Sequence, residues 1–179
     1  MIGIITGAQG SGKTTLLAYI LYKAYEKNFT IYSNFDFALP HETVTMKEIT
    51  SLVNENIQNA CVGIDEAEAV IDSRTSQSRF NRIMSYWVYQ SRKRNNALYL
   101  CSHILGAIDM RVRREATHLF CCHGYDAATD TLRYLAMDLQ NGKNTVHTLS
   151  HASFLFQLFD TRQKIGNMRE PGDGDKKNK

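Results

Sequence analysis

The fold class of this 179-residue chain is indicated most clearly by its first fourteen residues, Met1-Ile-Gly-Ile-Ile-Thr-Gly7-Ala-Gln-Gly-Ser-Gly-Lys13-Thr14. Its first six residues are mostly apolar and predict a short buried strand, and the next eight match the pattern G-x-x-x-x-G-K-[ST] at every fixed position. Helical spacing of the apolar residues predicts a helix over Thr14–Lys27. A strand, a glycine-rich loop and a helix in this order indicate a phosphate-binding loop rather than an ordinary turn.

The residue types in this loop suit the binding of a nucleoside triphosphate. Glycines let backbone N–H groups point at phosphate oxygens, and the start of the helix adds positive potential. We expect Lys13 to reach the β- and γ-phosphates of ATP and the hydroxyl of Thr14 to bind Mg²⁺. The residues expected to hold the nucleotide are Gly7, Ala8, Gln9, Gly10, Ser11, Gly12, Lys13, Thr14 and Thr15.

Two carboxylates end a second apolar strand, Ala60-Cys-Val-Gly-Ile-Asp65-Glu66. In a phosphate-loop fold this strand lies near the first one, so Asp65 is predicted to hold the Mg²⁺ water shell. Glu66 then lies where a general base for the attacking water is needed, which favours an ATPase over a nucleotide kinase. Glu68 is interpreted as a surface acid on the following turn.

A third predicted strand, Ala97–Ser102, ends next to His103, which is a candidate sensor of the γ-phosphate or of the lytic water. An ordinary strand-end histidine is the alternative reading. The segment Arg92-Lys-Arg94 precedes this strand. In a ring ATPase this edge faces the neighbouring subunit, so Arg92 or Arg94 would be the first candidate to reach the γ-phosphate bound there. Arg111, Arg113 and Arg114 are rivals for that role.

The pairs Cys101-x-His103 and Cys121-x-His123 have the spacing of zinc ligands, but we do not predict a zinc site. We number the predicted parallel strands 1 to 5 along the chain: Met1–Thr6, Phe29–Asn34, Ala60–Ile64, Ala97–Ser102 and Thr117–His123. If they lie in the order 5-1-4-3-2 across the sheet, strand 1 separates strands 4 and 5, which carry these pairs. Ligands held roughly 9–10 Å apart can hardly share one metal ion.

Strand and helix signals alternate along most of the chain, which predicts an α/β domain with a mostly parallel sheet over residues 1–165. Beyond the three strands above, strands are predicted at Phe29–Asn34, Thr117–His123, Thr131–Asp138, Thr145–Leu149 and Ser153–Phe159. Asn141-Gly142 indicates a hairpin, and hence an antiparallel extension of the sheet. Further helices are predicted at Met46–Asn56, Phe80–Arg94 and Ile104–Glu115, and residues 166–179 read as a polar, disordered tail.

Composition excludes several classes of protein. No apolar run reaches the roughly 18 residues of a membrane helix, so no transmembrane segment is expected. The four cysteines lie in apolar stretches, as expected for reduced thiols in the cytoplasm. The net charge of +3 is mild, but residues 61–115 carry nine Lys and Arg against six Asp and Glu. This excess suits contact with phosphate, or a solvated helix face.

The phosphate loop, Asp65-Glu66 and the segment Arg92-Lys-Arg-Asn-Asn-Ala-Leu-Tyr-Leu-Cys-Ser-His103 stand in one order that resembles the FtsK–HerA superfamily of DNA-pumping ATPases. The resemblance covers about residues 1–123. It looks closest to the genome-packaging ATPases of archaeal and membrane-containing viruses, with zonula occludens toxin-like phage ATPases next. The superfamily usually has a glutamine where this chain has His103.

The resemblance implies a RecA-like (ASCE) phosphate-loop ATPase that forms a homo-oligomeric ring of five or six subunits around double-stranded DNA. It also implies a place in the host cytoplasm or on the virion, with a capsid or virion-membrane protein as a possible partner. The polar segment Asp72–Arg79 is the candidate for DNA or subunit contact, although a solvated loop would have the same composition.

The favoured function is therefore an ATP-hydrolysing DNA translocase that packages a viral genome. A small nucleotide or nucleoside kinase is one alternative, with Arg111, Arg113 and Arg114 in a lid over its substrate. A nucleotide-switched assembly factor of the zonula occludens toxin type is the other.

Overall fold

The computed structural model describes residues 1–44, 57–70 and 92–160, without the side chains of residues 69, 70 and 92. Several predictions lie outside these residues: the helix Met46–Asn56, most of the helix Phe80–Arg94, the segment Asp72–Arg79 and the tail 166–179.

The described residues alternate between strands and helices in the first half and then form a run of strands. The strands are β1 (Ile2–Thr6), β2 (Thr30–Ser33), β3 (Glu42–Thr43), β4 (Ala60–Ile64), β5 (Ala97–Ser102), β6 (His118–Asp126), β7 (Thr131–Asp138) and β8 (Lys143–Ser150). The α-helices are α1 (Lys13–Tyr25), α2 (Ala67–Val70) and α3 (Met110–Glu115), and 3₁₀ turns cover Arg92–Arg94, Leu105–Ala107 and Ala152–Gln157. Within the described ranges, no helix is long and apolar enough to cross a bilayer.

All eight strands belong to one sheet with the order β3-β2-β4-β5-β1-β6-β7-β8. β1 pairs in parallel with β5 on one side and with β6 on the other, and β4 lies between β2 and β5. The predicted strands 1 to 5 correspond to β1, β2, β4, β5 and β6, so the predicted order 5-1-4-3-2 is the observed order β6-β1-β5-β4-β2 and is confirmed. β1 separates β5 from β6, as the argument against a shared zinc site requires.

Both faces of the central sheet are buried, because alternate residues of its strands pack against helices on opposite sides. Ile5 and Cys101 pack with Leu17 and Leu21 of α1 on one face. Ile4 and Leu100 pack with Val112 of α3 on the other face. Burial on both faces explains why β1, β4 and β5 read as nearly continuous apolar runs.

β6, β7 and β8 form the predicted antiparallel extension. β7 pairs with β8 from Thr131 opposite Ser150 to Asp138 opposite Lys143, which leaves a four-residue loop that includes Asn141 and Gly142. Gly142 has φ 67°, a left-handed conformation that glycine adopts without a steric penalty. The hairpin signal is confirmed.

Two predicted elements are wrong. The helix over Ile104–Glu115 is interrupted: a 3₁₀ turn ends at Ala107, Ile108 is extended, and Asp109 caps a separate helix by accepting from the N–H of Arg111. The strand over Ser153–Phe159 is a 3₁₀ turn over Ala152–Gln157, which packs beside α1 with Leu155 buried. Packing against α1 outweighs the strand preference of its aromatic residues.

Candidate functional site

The carboxyl ends of four parallel strands meet at one edge of the sheet. Thr6 of β1 lies opposite Ser102 of β5, Ile64 of β4 lies opposite Leu100, and Ser33 of β2 lies opposite Gly63. The residues that follow these strands are therefore brought together, and ligands bind at this edge in open α/β sheets.

The phosphate loop leaves β1 at Gly7 and enters α1 at Lys13, with Gly12 as the N-cap of the helix. Gly12 has φ 86°, and a Cβ atom there would lie 2.5 Å from Cδ1 of Leu132. Both the left-handed backbone and the contact with β7 require glycine at this position. The antiparallel extension thus supports the loop from behind.

The side chain of Lys13 is almost fully buried and uses three hydrogen-bond partners. Its Nζ donates to the carbonyl oxygens of Gly7 at 3.0 Å and Ala8 at 2.9 Å. It also lies 3.0 Å from Nδ1 of His103. This contact joins two predicted site residues that are 90 positions apart, and no local sequence pattern predicts it.

Thr14 and Asp65 are also in contact, since the hydroxyl of Thr14 donates to Oδ2 of Asp65 at 2.7 Å. A threonine hydroxyl and a carboxylate are the hard oxygen ligands that Mg²⁺ takes, and this ion fills its other positions with water and substrate phosphates. The donor set therefore fits Mg²⁺. Within the described ranges, no cluster of three or more His, Cys, Asp or Glu residues is placed to hold a metal ion by itself.

Asn34 fixes the backbone of Asp65 and was missed at the sequence level. Its Nδ2 donates to the carbonyl oxygen of Asp65 at 2.8 Å, and its Oδ1 accepts from the N–H of Asp65 at 2.8 Å. The signal was available, because Asn34 ends the predicted strand Phe29–Asn34 at the same sheet edge. Asp65 in turn accepts from the N–H of Glu66 through Oδ1 at 3.0 Å.

Glu66 lines the pocket and is exposed, with φ 49° in the left-handed region. This conformation is costly for a residue with a side chain, and such residues are concentrated at functional sites. The bonds that hold Asp65 on either side keep the turn in this conformation.

The interpretation of Glu68 as a surface acid is wrong. Its Oε1 accepts from the backbone N–H of His103 at 3.3 Å, and the side chain lines the same pocket. α2 begins directly after Glu66 and carries Glu68 back toward the end of β5. No sequence signal located this contact, because it joins residues 35 positions apart.

These residues surround one cavity of about 330 Å³. Phe35, Phe159 and Asp160 complete its wall on the side of β2. The C-terminal part of the described chain reaches this place because the N–H of Ala38 donates to the carbonyl of Leu158 at 2.8 Å. The lining residues are Gln9, Gly10, Gly12, Lys13, Thr14, Thr15, Phe35, Asp65, Glu66, Glu68, Cys101, Ser102, His103, Phe159 and Asp160.

Arg94, one of the two arginines predicted to act on a neighbouring subunit, does not line the cavity of its own chain. Arg94 precedes β5, whereas the cavity lies beyond the far end of that strand, roughly 20 Å away for six residues. The side chain of Arg92 lies outside the described residues. Among the rivals, Arg111 binds Asp109 and Arg113 donates to the carbonyl of Ile108, while Arg114 is exposed.

Cys101 lies against the site but is not a reactive thiol. Burial is the main cause that raises its pKa well above the ordinary value, and its Sγ donates to the carbonyl of Lys13 at 3.7 Å. The pKa of Cys122 is likewise raised, to about 12, chiefly by burial. Both are core thiols, as composition predicted.

Comparison with protein families matches residues 1–96 to the model described as "AAA domain". The matched segment covers β1, the phosphate loop, α1 and the acidic pair, and it stops just before β5. No curated protein matches the chain.

Several solved structures share the fold. The N-terminal domain of zonular occludens toxin from Neisseria meningitidis is 15% identical, with a TM-score of 0.67 over 89% of this chain and 98% of that one. The genome packaging NTPase B204 from Sulfolobus turreted icosahedral virus 2, in complex with AMP, is 12% identical, with a TM-score of 0.61 over 82% and 96%. The same NTPase has also been solved with ATP-gammaS, with a TM-score of 0.60. At these identities the likeness shows the fold, a phosphate-loop NTPase with an antiparallel extension.

Proposed function

The chain belongs to the AAA domain family, and from this premise we propose that it is an ATP-hydrolysing DNA translocase, the motor that packages a viral genome. One observation carries the proposal. Lys13, Thr14, Asp65, Glu66 and His103 come from three different strand ends and surround the same cavity. A lysine for the phosphates, two oxygen ligands for Mg²⁺ and a carboxylate for the attacking water are the groups that hydrolysis of a nucleoside triphosphate uses, and His103 adds a polar group beside the lysine.

Binding of ATP begins at the phosphate loop. The ammonium of Lys13 moves from the carbonyls of Gly7 and Ala8 to the β- and γ-phosphates, and N–H groups at the start of α1 receive the remaining phosphate oxygens. Mg²⁺ would be held by Thr14 and, through water, by Asp65, and it would neutralise charge on the phosphates.

Glu66 then acts as the general base. Its carboxylate takes a proton from water as the water oxygen attacks the γ-phosphorus, and the bond from the γ-phosphorus to the bridging oxygen breaks to leave ADP. Asn34 keeps the turn of Asp65 and Glu66 in register with the phosphate loop. His103 detects the γ-phosphate, because the same phosphate competes for its partner Lys13.

The ring and the DNA belong to the same proposal. Two features support them: the fold is similar to that of a viral genome packaging NTPase, and arginine is concentrated in residues 61–115. An arginine of the neighbouring subunit stabilises the charge on the transferred phosphoryl group, with Arg92 and Arg94 as first candidates and exposed Arg114 as the next.

A nucleotide-switched phage assembly factor is the second candidate, because the fold is also similar to that of the zonular occludens toxin domain. The kinase alternative is weaker. Arg111 and Arg113, two of the three arginines of its supposed lid, bind within their own segment.

A triplex displacement assay tests the proposal. A duplex carrying a bound third strand is incubated with the protein and ATP, and release of that strand reports movement along the DNA. We expect release with ATP and none with a non-hydrolysable analogue. Hydrolysis without release would favour the assembly factor, and phosphoryl transfer to a nucleoside would favour the kinase.

A further inference from the structure

One wall of the nucleotide cavity is aromatic, and none of the catalytic steps uses it. Phe35 follows β2, while Phe159 and Asp160 follow the 3₁₀ turn over Ala152–Gln157, and all three residues line the cavity. The two phenylalanines are the only large apolar side chains in the described part of the lining. The base is the apolar part of a nucleoside triphosphate, so this wall offers the surface against which a base can pack.

The γ-phosphate belongs to a different part of the cavity. Nζ of Lys13 lies 3.0 Å from Nδ1 of His103, which directly follows β5. The aromatic wall begins after β2, which lies two strands from β5 in the sheet, or roughly 10 Å at the usual strand spacing. Because Lys13 reaches the β- and γ-phosphates, the nucleoside is at the end of the ligand remote from its ammonium, and the wall is available to it.

Asp160 adds a negative charge to the same wall, where its side chain is exposed and lines the cavity. A carboxylate repels phosphate oxygens, which are also negative, and it can only accept hydrogen bonds. The hydroxyls of a ribose donate hydrogen bonds and carry no charge. The chemistry of Asp160 therefore suits the nucleoside end of the ligand rather than the phosphates.

Contacts on both sides fix the aromatic wall before any ligand binds. The rings of Phe35 and Phe159 meet edge to face with centroids 6.4 Å apart, and they are 3% and 8% exposed. The N–H of Ala38 donates to the carbonyl of Leu158 at 2.8 Å and ties the segment to the loop after β2. A wall that is already ordered loses little conformational entropy on binding. Since only a small part of Phe159 is exposed, its effect on affinity is expected to be modest.

We propose that Phe159 and Asp160 form the nucleoside subsite of this cavity: the ring of Phe159 packs against the base, and the carboxylate of Asp160 accepts from a ribose hydroxyl. This proposal rests on the proposed ATPase function and names the residues that recognise the nucleoside. Both lie outside residues 1–96, the segment matched to the AAA domain. The chain after β8 thus takes part in binding the nucleotide, in addition to the motifs near the N-terminus.

Three ligands separate the parts of the nucleotide in a binding experiment. ADP carries the base, the ribose and two phosphates, 2′,3′-dideoxy-ADP lacks both ribose hydroxyls, and pyrophosphate lacks the nucleoside. None of them offers a γ-phosphate for hydrolysis. Each is titrated calorimetrically, in the presence of Mg²⁺, into the purified wild-type protein and its variants to give Kd.

Phe159→Leu keeps an apolar side chain in the core but removes the ring. We expect Kd for ADP to rise about fivefold, near the low end for stacking of a base on an aromatic side chain, and Kd for pyrophosphate to stay within about twofold. Phe154→Leu, at a half-exposed position of the same turn, is the matched control and is expected to change neither value. An unchanged Kd for ADP in Phe159→Leu, or an equal rise for ADP and pyrophosphate, would overturn the base contact.

Asp160→Ala removes the carboxylate. We expect Kd for ADP to rise about fivefold, as for loss of one hydrogen bond, and Kd for 2′,3′-dideoxy-ADP to stay within about twofold. Glu42→Ala, at an exposed position of β3, is the control for loss of one negative charge. A change of the same size for ADP and for 2′,3′-dideoxy-ADP, or no change for either, would overturn the ribose contact.

The wild-type values test the subsite as a whole. We expect ADP to bind at least about tenfold more tightly than pyrophosphate, since both contacts are made only by the nucleoside. Binding of ADP that is no tighter than that of pyrophosphate would overturn the subsite. If ADP binds as expected but ATP is not hydrolysed, the proposed ATPase function fails, and the Kd values of the variants still decide the subsite.

Discussion

Nζ of Lys13 lies 3.0 Å from Nδ1 of His103, although the two residues are 90 positions apart. A lysine ammonium has donors only, so Nδ1 must be the unprotonated nitrogen of the ring. The phosphate loop and the end of β5 are thus joined by a hydrogen bond that a bound phosphate would compete for.

His103→Gln is expected to retain most of the rate of ATP hydrolysis, whereas His103→Ala is expected to lower that rate about tenfold or more. The glutamine carbonyl accepts from Lys13 as Nδ1 does, and its amide can still orient a water. Steady-state hydrolysis of ATP by the two variants provides the measurement. Equal activity in His103→Ala and the wild type would remove His103 from the mechanism.

Lys13→Ala and Glu66→Gln are expected to fail at different steps. Loss of the Lys13 ammonium removes charge-assisted bonds to phosphate worth about 1.5–3 kcal/mol each, so nucleotide affinity falls about 10-fold to 100-fold. Glu66→Gln leaves affinity intact and lowers kcat by about 10²–10⁴. Calorimetric titration with a nucleotide analogue and a hydrolysis assay measure the two effects. The same loss of binding in both variants would contradict this division of roles.

Asn34→Ala is expected to destabilise the protein and to slow hydrolysis. It removes two hydrogen bonds to the backbone of Asp65, each worth about 1 kcal/mol. A displaced Asp65 also misplaces Glu66, which we expect to lower kcat by about tenfold or more. Urea unfolding and kcat are measured beside Asn144→Ala, an exposed control on β8. If both variants behave like the wild type, Asn34 does not hold the turn.

Asp109 provides a pH-dependent contribution to stability. Its carboxylate accepts from Nε and Nη2 of Arg111, and this side-chain bonding lowers the pKa of Asp109 below the ordinary value of 3.8. The contribution is therefore fully present above pH 3.8 and is lost as the pH falls through the lowered pKa.

Asp109→Asn is accordingly expected to lower the free energy of unfolding by about 1 kcal/mol at pH 7. The amide oxygen still caps α3, so this difference reports the charge pair alone. Denaturant titrations at neutral pH and well below pH 3.8 measure it. A difference that persists unchanged in acid would contradict the assignment.

Much of the fold could be predicted from the sequence because its signals are local. β4, β5 and β7 begin and end where apolar periodicity and strand composition place them. The prediction of one helix over Ile104–Glu115 was wrong because Asp109, in the middle of this segment, caps a new helix. The apolar spacing continues across Asp109 and therefore gives no sign of the interruption. The 3₁₀ turn over Ala152–Gln157 depends on contact with α1, which no local pattern records.

The candidate site divides in the same way. Lys13, Thr14, Asp65, Glu66 and His103 could be predicted as candidates from the sequence because each stands in a motif or at a strand end, and the structure places them around one cavity. The contacts between these residues could not be predicted, since they join distant parts of the chain. The contact between Glu68 and His103 forms because the chain leaves β5 after Ser102 and turns the N–H of His103 toward α2. Such a contact depends on the tertiary structure, and no local pattern predicts it.

The proposed motor function is tested by steady-state ATP hydrolysis of the purified protein, measured with and without linear double-stranded DNA. The mass of the protein is determined by light scattering in the same samples. We expect stimulation by DNA together with the mass of a ring of five or six subunits. A monomer whose hydrolysis is the same with and without DNA would contradict it.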